Sequence, residues 1–169
     1  MSGFSITATN LEWIKGKKDD PEDLCLHGHA IAKIGNEILE YDATVSATAL
    51  YLLKSITEDH IIDKENQMLP CCGFAMYLKD DGSGDVFICG CPNGIDWSVI
   101  HENGNIKLIT ESGKETIISL EEYKKEVFKF ADSIENFYNI CTKKIMPADE
   151  QERNAYIAFW NEWHRRRNS

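Results

Sequence analysis

The chain has 169 residues, enough for one domain with a proper hydrophobic core. Hydrophobic residues make up 43% and charged residues 27%, which excludes wholesale disorder. Acidic residues number 28 against 18 basic, a net charge of -10, and that balance argues against a nucleic-acid backbone or an anionic membrane as partner.

Phe4 to Ile14 alternates loosely and reads as extended. Lys15 to Asp23 is a charged loop containing Pro21. Leu24 to Ile34 and Glu37 to Tyr41 flank Gly35-Asn36, a two-residue hairpin signal. Asp42 is placed to cap a helix running to about residue 57, with Val45, Ala49, Leu52, Leu53 and Ile56 on one face. The same stretch alternates at Val45, Ala47, Ala49, Tyr51 and Leu53, so a strand is the alternative. Glu58 to Pro70 reads as a polar connector.

The middle third carries turn signals at Asp81 to Gly84, Asn93-Gly94, Asn103-Gly104 and Ser112-Gly113, with short apolar runs between them. That spacing predicts an antiparallel meander. A tight turn at Asn93-Gly94 sets Gly90 opposite Trp97 and Cys91 opposite Asp96. One face then carries Ala75, Tyr77, Val86, Ile88, Gly90, Trp97, Val99, Ile106, Leu108 and Ile117, and is the expected core face. The other carries Phe74, Met76, Leu78, Phe87, Cys89, Cys91, Asp96, Ser98, Lys107 and Ile109.

Ser119 and Glu122 form a capping box that opens a helix to about residue 142. Pro147 suits the first turn of a last helix. Its acidic start, at Asp149, Glu150 and Glu152, and its basic end, Arg165 to Arg167, complement the macrodipole. The whole is expected to be a single α+β domain. Its largely antiparallel sheet has roughly seven or eight strands, with one early helix and two C-terminal helices packed on it.

No signal peptide is expected, because Met1 to Asn10 lacks a basic stretch followed by an apolar run. The longest nearly apolar run, residues 43–53, is too short to span a bilayer. A cytoplasmic location follows as an expectation, with the six cysteines as free thiols. Cys72, Cys89 and Cys91 share the second sheet face, and thiolates bind zinc. Their spacing lacks the two-residue gap of a zinc knuckle, however, and Phe74, Met76 and Phe87 surround them. Small core hydrophobes are therefore the expected role. His27 and His29 fall on one strand face, close enough to share a metal if a third ligand is supplied.

Catalytic signatures are missing: no G-x-S-x-G, no H-E-x-x-H, no G-x-G-x-x-G and no deaminase pattern. The Asp80 to Asp85 stretch is a hairpin turn and lacks the ligand spacing of a calcium loop. Cys89 or Cys91 would need a histidine to act as a nucleophile, and the pairing puts His101 on the opposite face. Trp160, Trp163 and the three terminal arginines read first as core and helix-end charge, with a recognition role as the alternative. No cofactor is expected, and the oligomeric state is left open.

Two segments carry a resemblance. One runs from Ser119, Leu120, Glu121, Glu122 and Tyr123 through Phe130, Ala131, Asp132, Ser133, Ile134, Glu135, Asn136, Phe137 and Tyr138. The other is Phe159, Trp160, Asn161, Glu162 and Trp163. Together they resemble helices of small acidic immunity-type proteins, which accompany bacterial toxins. The resemblance implies an α+β binder that blocks a partner enzyme, and it assigns no binding residue. The acidic excess lies wholly in residues 1–118, since residues 119–169 sum to zero. The leading expectation is thus an acidic module binding a basic protein, with Asp80, Asp81, Asp85 and Asp96 as the candidate contact residues. The alternative is a small metal protein or enzyme using the cysteine face with Asp96 and Ser98, or His27 and His29.

Overall fold

The computed structural model describes residues 3–64 and 66–169. The fold is α+β, with three α-helices and strands that all pair antiparallel. Strands β1 (Phe4–Glu12), β2 (His27–Ile34) and β3 (Glu37–Ala43) form the first sheet. Gly35-Asn36 closes the β2–β3 hairpin, with Ile34 opposite Glu37, as the two-residue signal predicts. Ala30, Ala32 and Ile34 alternate inward along β2.

Helix α1 (Val45–Ser55) follows directly. It is buried on almost every side, so a single apolar stripe understates it. That settles helix against strand: a helix satisfies its backbone bonds internally, whereas a strand buried this deeply needs a neighbour on each edge. Asp42 does not cap it. Thr44 occupies the cap position, and Asp42 is still in β3, two residues too early. Ser46 ties the helix to the residue just before β2, because its hydroxyl accepts from the Leu26 amide at 3.1 Å.

The middle third departs from one continuous meander. Strands β5 (Ala75–Leu78) and β6 (Val86–Cys89) form a hairpin of their own. Strand β4 (Leu69–Pro70) pairs with β7 (Gly94–Ile95), and β8 (Trp97–Glu102), β9 (Asn105–Thr110) and β10 (Glu115–Ser119) make a three-stranded meander. Asn93-Gly94 is therefore not a hairpin turn. Gly94 pairs with Pro70, and a Cβ added there would lie 2.5 Å from the Leu69 carbonyl oxygen. Here the glycine permits close approach of two backbones. Gly90 does not oppose Trp97, nor does Cys91 oppose Asp96.

Within β5–β6, Tyr77 opposes Phe87 and Met76 opposes Ile88. The expected facing pattern slips by one residue on β5, which moves Tyr77 from the core face to the outside. On β10, Ile118 is buried and Ile117 is exposed, the reverse of the expected order. Val86, Ile88, Trp97, Val99, Ile106 and Leu108 do face the core.

Helix α2 (Leu120–Ile140) opens on the Ser119–Glu122 capping box. Its stripe of Tyr123, Val127, Phe130 and Ile134 is fully buried, and the Tyr123 hydroxyl meets Ser55 Oγ of α1 at 2.7 Å. Helix α3 (Glu150–Arg167) begins after Asp149, whose carboxylate accepts from the Glu152 amide at 2.9 Å. Pro147 therefore precedes the cap instead of entering the first turn. Trp13, Tyr138, Trp160 and Trp163 make successive ring contacts that join the N-terminal loop to α2 and α3. No helix among the described residues is long and apolar enough to cross a membrane.

Candidate functional site

The β5–β6 hairpin presents the most unusual surface. Tyr77 and Phe87, opposite one another, are 57% and 50% exposed, and Phe74 just before β5 is 70% exposed. Large aromatics are seldom left in water as neighbours. The loop joining the strands carries Asp80 and Asp81, both exposed. Asp81 accepts from the Ser83 amide at 2.9 Å and from the Ser83 hydroxyl at 2.5 Å. These bonds, the hydroxyl first, hold its carboxyl below the ordinary aspartate range and so keep it ionised. Phe87 also borders a cleft of about 420 Å³, where Lys54, Lys64 and Lys79 stand with Asp63 and Glu162.

The other two acidic candidates are used internally. Asp85 is bound by Arg165 and lies 3.4 Å from Arg166. Asp96 is 2% exposed, and its carboxylate meets His60 Nε2 at 2.7 Å and the Met68 amide at 3.0 Å. Ser98, also buried, accepts from the Ile62 amide at 3.1 Å. Asp96 and Ser98 therefore anchor the connector after α1 to β8 and present no charge to a partner. No spacing signal marks this pairing, because His60 lies 36 residues from Asp96.

The terminal arginines are likewise engaged. Arg166 Nε donates to Glu162 at 2.8 Å, and Arg167 grips Asp132 at 2.7 and 2.9 Å. Glu162, buried, also accepts from the Val86 amide at 2.8 Å, which fastens α3 to β6. Trp163 is fully buried and Trp160 packs against it, so neither forms an exposed tryptophan face.

All five histidines have a carboxylate neighbour. His29 Nδ1 meets Asp42 at 2.7 Å and its Nε2 meets Glu40 at 3.2 Å, while His27 faces Asp23 at 3.6 Å. The two rings line one cleft of about 650 Å³ but turn to different acids, so they do not converge on a shared ligand position. The acids come from β3 and from the loop before β2, which no spacing along the H-x-H itself reveals.

The cysteines depart most from expectation. Only Cys25 is buried; Cys71 and Cys89 are exposed, and Cys72, Cys91 and Cys141 are partly so. Short ladders at the sheet margins leave the thiols of Cys71, Cys72, Cys89 and Cys91 outside the core, and Cys141 sits at the C-terminal end of α2. Cys71, Cys72 and Cys91 place their sulfurs within 4.8 Å of one another. Cys89 is not among them: it sits in β6 opposite Ala75, and Cys71 takes its place in the cluster. The β4–β7 ladder explains the meeting, since Cys71-Cys72 follow β4 and Cys91 precedes β7, with the Cys71 amide bound to Asn93 O at 3.2 Å.

No known family, curated protein or solved structure matches the chain.

Proposed function

We propose that this chain is a protein-binding module whose β5–β6 hairpin docks a basic partner, in the manner of an immunity protein that neutralises a toxin. The carrying observation is the exposed Tyr77–Phe87 pair beneath the exposed acidic Asp80–Asp81 loop. Aromatic anchors with a charged rim are the chemistry of interaction hot spots. The -10 charge supports a basic partner, and Arg165, Arg166 and Arg167 are engaged in internal ion pairs with Asp85, Glu162 and Asp132, while Asp80 and Asp81 stay exposed at the hairpin tip. The likeness of α2 and α3 to immunity-type helices points the same way.

The test is co-expression with the protein encoded by each adjacent gene, followed by association kinetics on any purified pair. Growth arrest should be relieved and a stable complex recovered. The Tyr77→Ser/Phe87→Ser double variant should weaken the complex at least about thirtyfold. Asp80→Lys/Asp81→Lys should slow association about tenfold at low salt and much less at high salt. Failure to bind either neighbouring protein, or a double variant that binds as tightly as wild type, overturns the reading.

A further inference from the structure

Cys72 lies just before β5 and Cys91 just after β6, so the three-thiol cluster sits at the root of the hairpin, below its first pair Ala75–Cys89. Cys71 and Cys72 sulfurs are 3.9 Å apart, and all three lie within 4.8 Å. In a tetrahedral zinc thiolate each sulfur sits about 2.3 Å from the metal, which puts the sulfurs about 3.8 Å from one another. Closing the cluster onto an ion therefore needs only a small contraction. We propose that Cys71, Cys72 and Cys91 form a three-thiolate site for a soft divalent cation of the zinc and cadmium class, which clasps the root of the hairpin.

Three further features favour it. The backbone is fixed: Thr44 at the start of α1 takes the Pro70 carbonyl at 3.0 Å, and its hydroxyl donates to Cys71 O at 3.4 Å. Gly73 then packs so closely that an added Cβ would stand 2.8 Å from Ala47 Cβ. The third thiol is held too, with Cys91 Sγ 3.9 Å from the Asn93 carbonyl oxygen. Finally, Cys71 is exposed, leaving the fourth coordination position open to water.

The site stands independently of the docking reading. Reduced, metal-free protein is titrated with cadmium while sulfur-to-cadmium charge-transfer absorbance is recorded. One equivalent should bind, with the intensity of three thiolates. Cys91→Ser should weaken binding by more than a hundredfold, and Cys89→Ser should leave it unchanged. In the unmodified protein, cadmium should shield Cys71, Cys72 and Cys91 from alkylation but not Cys89, as read by peptide mass. That arm needs no variant to fold. Absence of charge transfer at one equivalent, or equal shielding of Cys89, overturns the proposal.

Discussion

His60 Nε2 and Asp96 Oδ1 lie 2.7 Å apart with both side chains buried, and the same carboxylate oxygen takes the Met68 amide. One acid therefore holds two points of the connector between α1 and β4. Truncating one partner of such a pair leaves the other desolvated without compensation. Asp96→Ala should lower stability by about 3 kcal/mol, and Asp96→Asn by less, because the amide oxygen still accepts from Met68. Urea denaturation reads both; an unchanged midpoint for Asp96→Ala would show that the pair bears no structural load.

Glu162 has a similar double role. It accepts from the Val86 amide of β6 and from Arg166 on its own helix. Glu162→Ala should cost about 3 kcal/mol. The damage should be local as well as global: hydrogen exchange at Val86 and Lys79, both within or beside the hairpin, should accelerate more than at β2. Uniform acceleration across both sheets would contradict the fastening described above.

Side-chain hydrogen bonds to two titratable groups give opposite pH dependences. Hydrogen bonds to Asp42 and then Glu40 raise the His29 pKa. Its contribution to stability is therefore complete below the unfolded histidine value, about 6.5, and is lost as pH rises through the folded value. Asp19 is lowered, first by the Thr142 hydroxyl and then by the Thr142 amide. Its contribution is complete above the unfolded aspartate value, about 3.9, and is lost as pH falls through the folded one. NMR titration should show the His29 ring titrating above an unfolded-peptide control and shifting back in Asp42→Asn. The Thr142 amide should move only in strong acid.

Thiol labelling separates the six cysteines. Burial pushes Cys25 up to about 12, and its sulfur lies 3.5 Å from the Gly73 carbonyl. It should react only when the protein is unfolded, whereas the exposed Cys89 should react at once. Time-resolved mass spectrometry of alkylated protein gives the order; early modification of Cys25 would contradict its placement.

What could be read from the chain alone was local. Gly35-Asn36, Asn103-Gly104 and the Ser119–Glu122 box each act over a few residues, and each appears where its chemistry puts it. Register across the middle third was not legible in this way. The Asp81 to Gly84 loop spans more residues than a tight turn, so nothing near it fixes which residue of β5 meets Phe87. Gly94 signals a turn or a close approach equally well, and only the distant Leu69 carbonyl decides between them. The acidic candidates divided on the same principle. Asp80 and Asp81 lie in a loop whose exposure is local, while Asp85 and Asp96 find partners in α3 and the connector. The thiol cluster combines residues on either side of the hairpin, and no spacing rule for adjacent ligands describes it.

An isolated two-stranded hairpin is marginal in water, and β5–β6 has no third strand. Its support comes from Glu162, Arg165 and Arg166, more than seventy positions later in the chain. Synthesis runs from the N-terminus, so the hairpin leaves the ribosome well before the helix that fixes it. The aromatic pair Tyr77–Phe87 is thus held in its final geometry only after α3 has been made. A chain halted before α3 would display the same residues without their alignment, and the docking surface proposed above would be assembled only once α3 has been made.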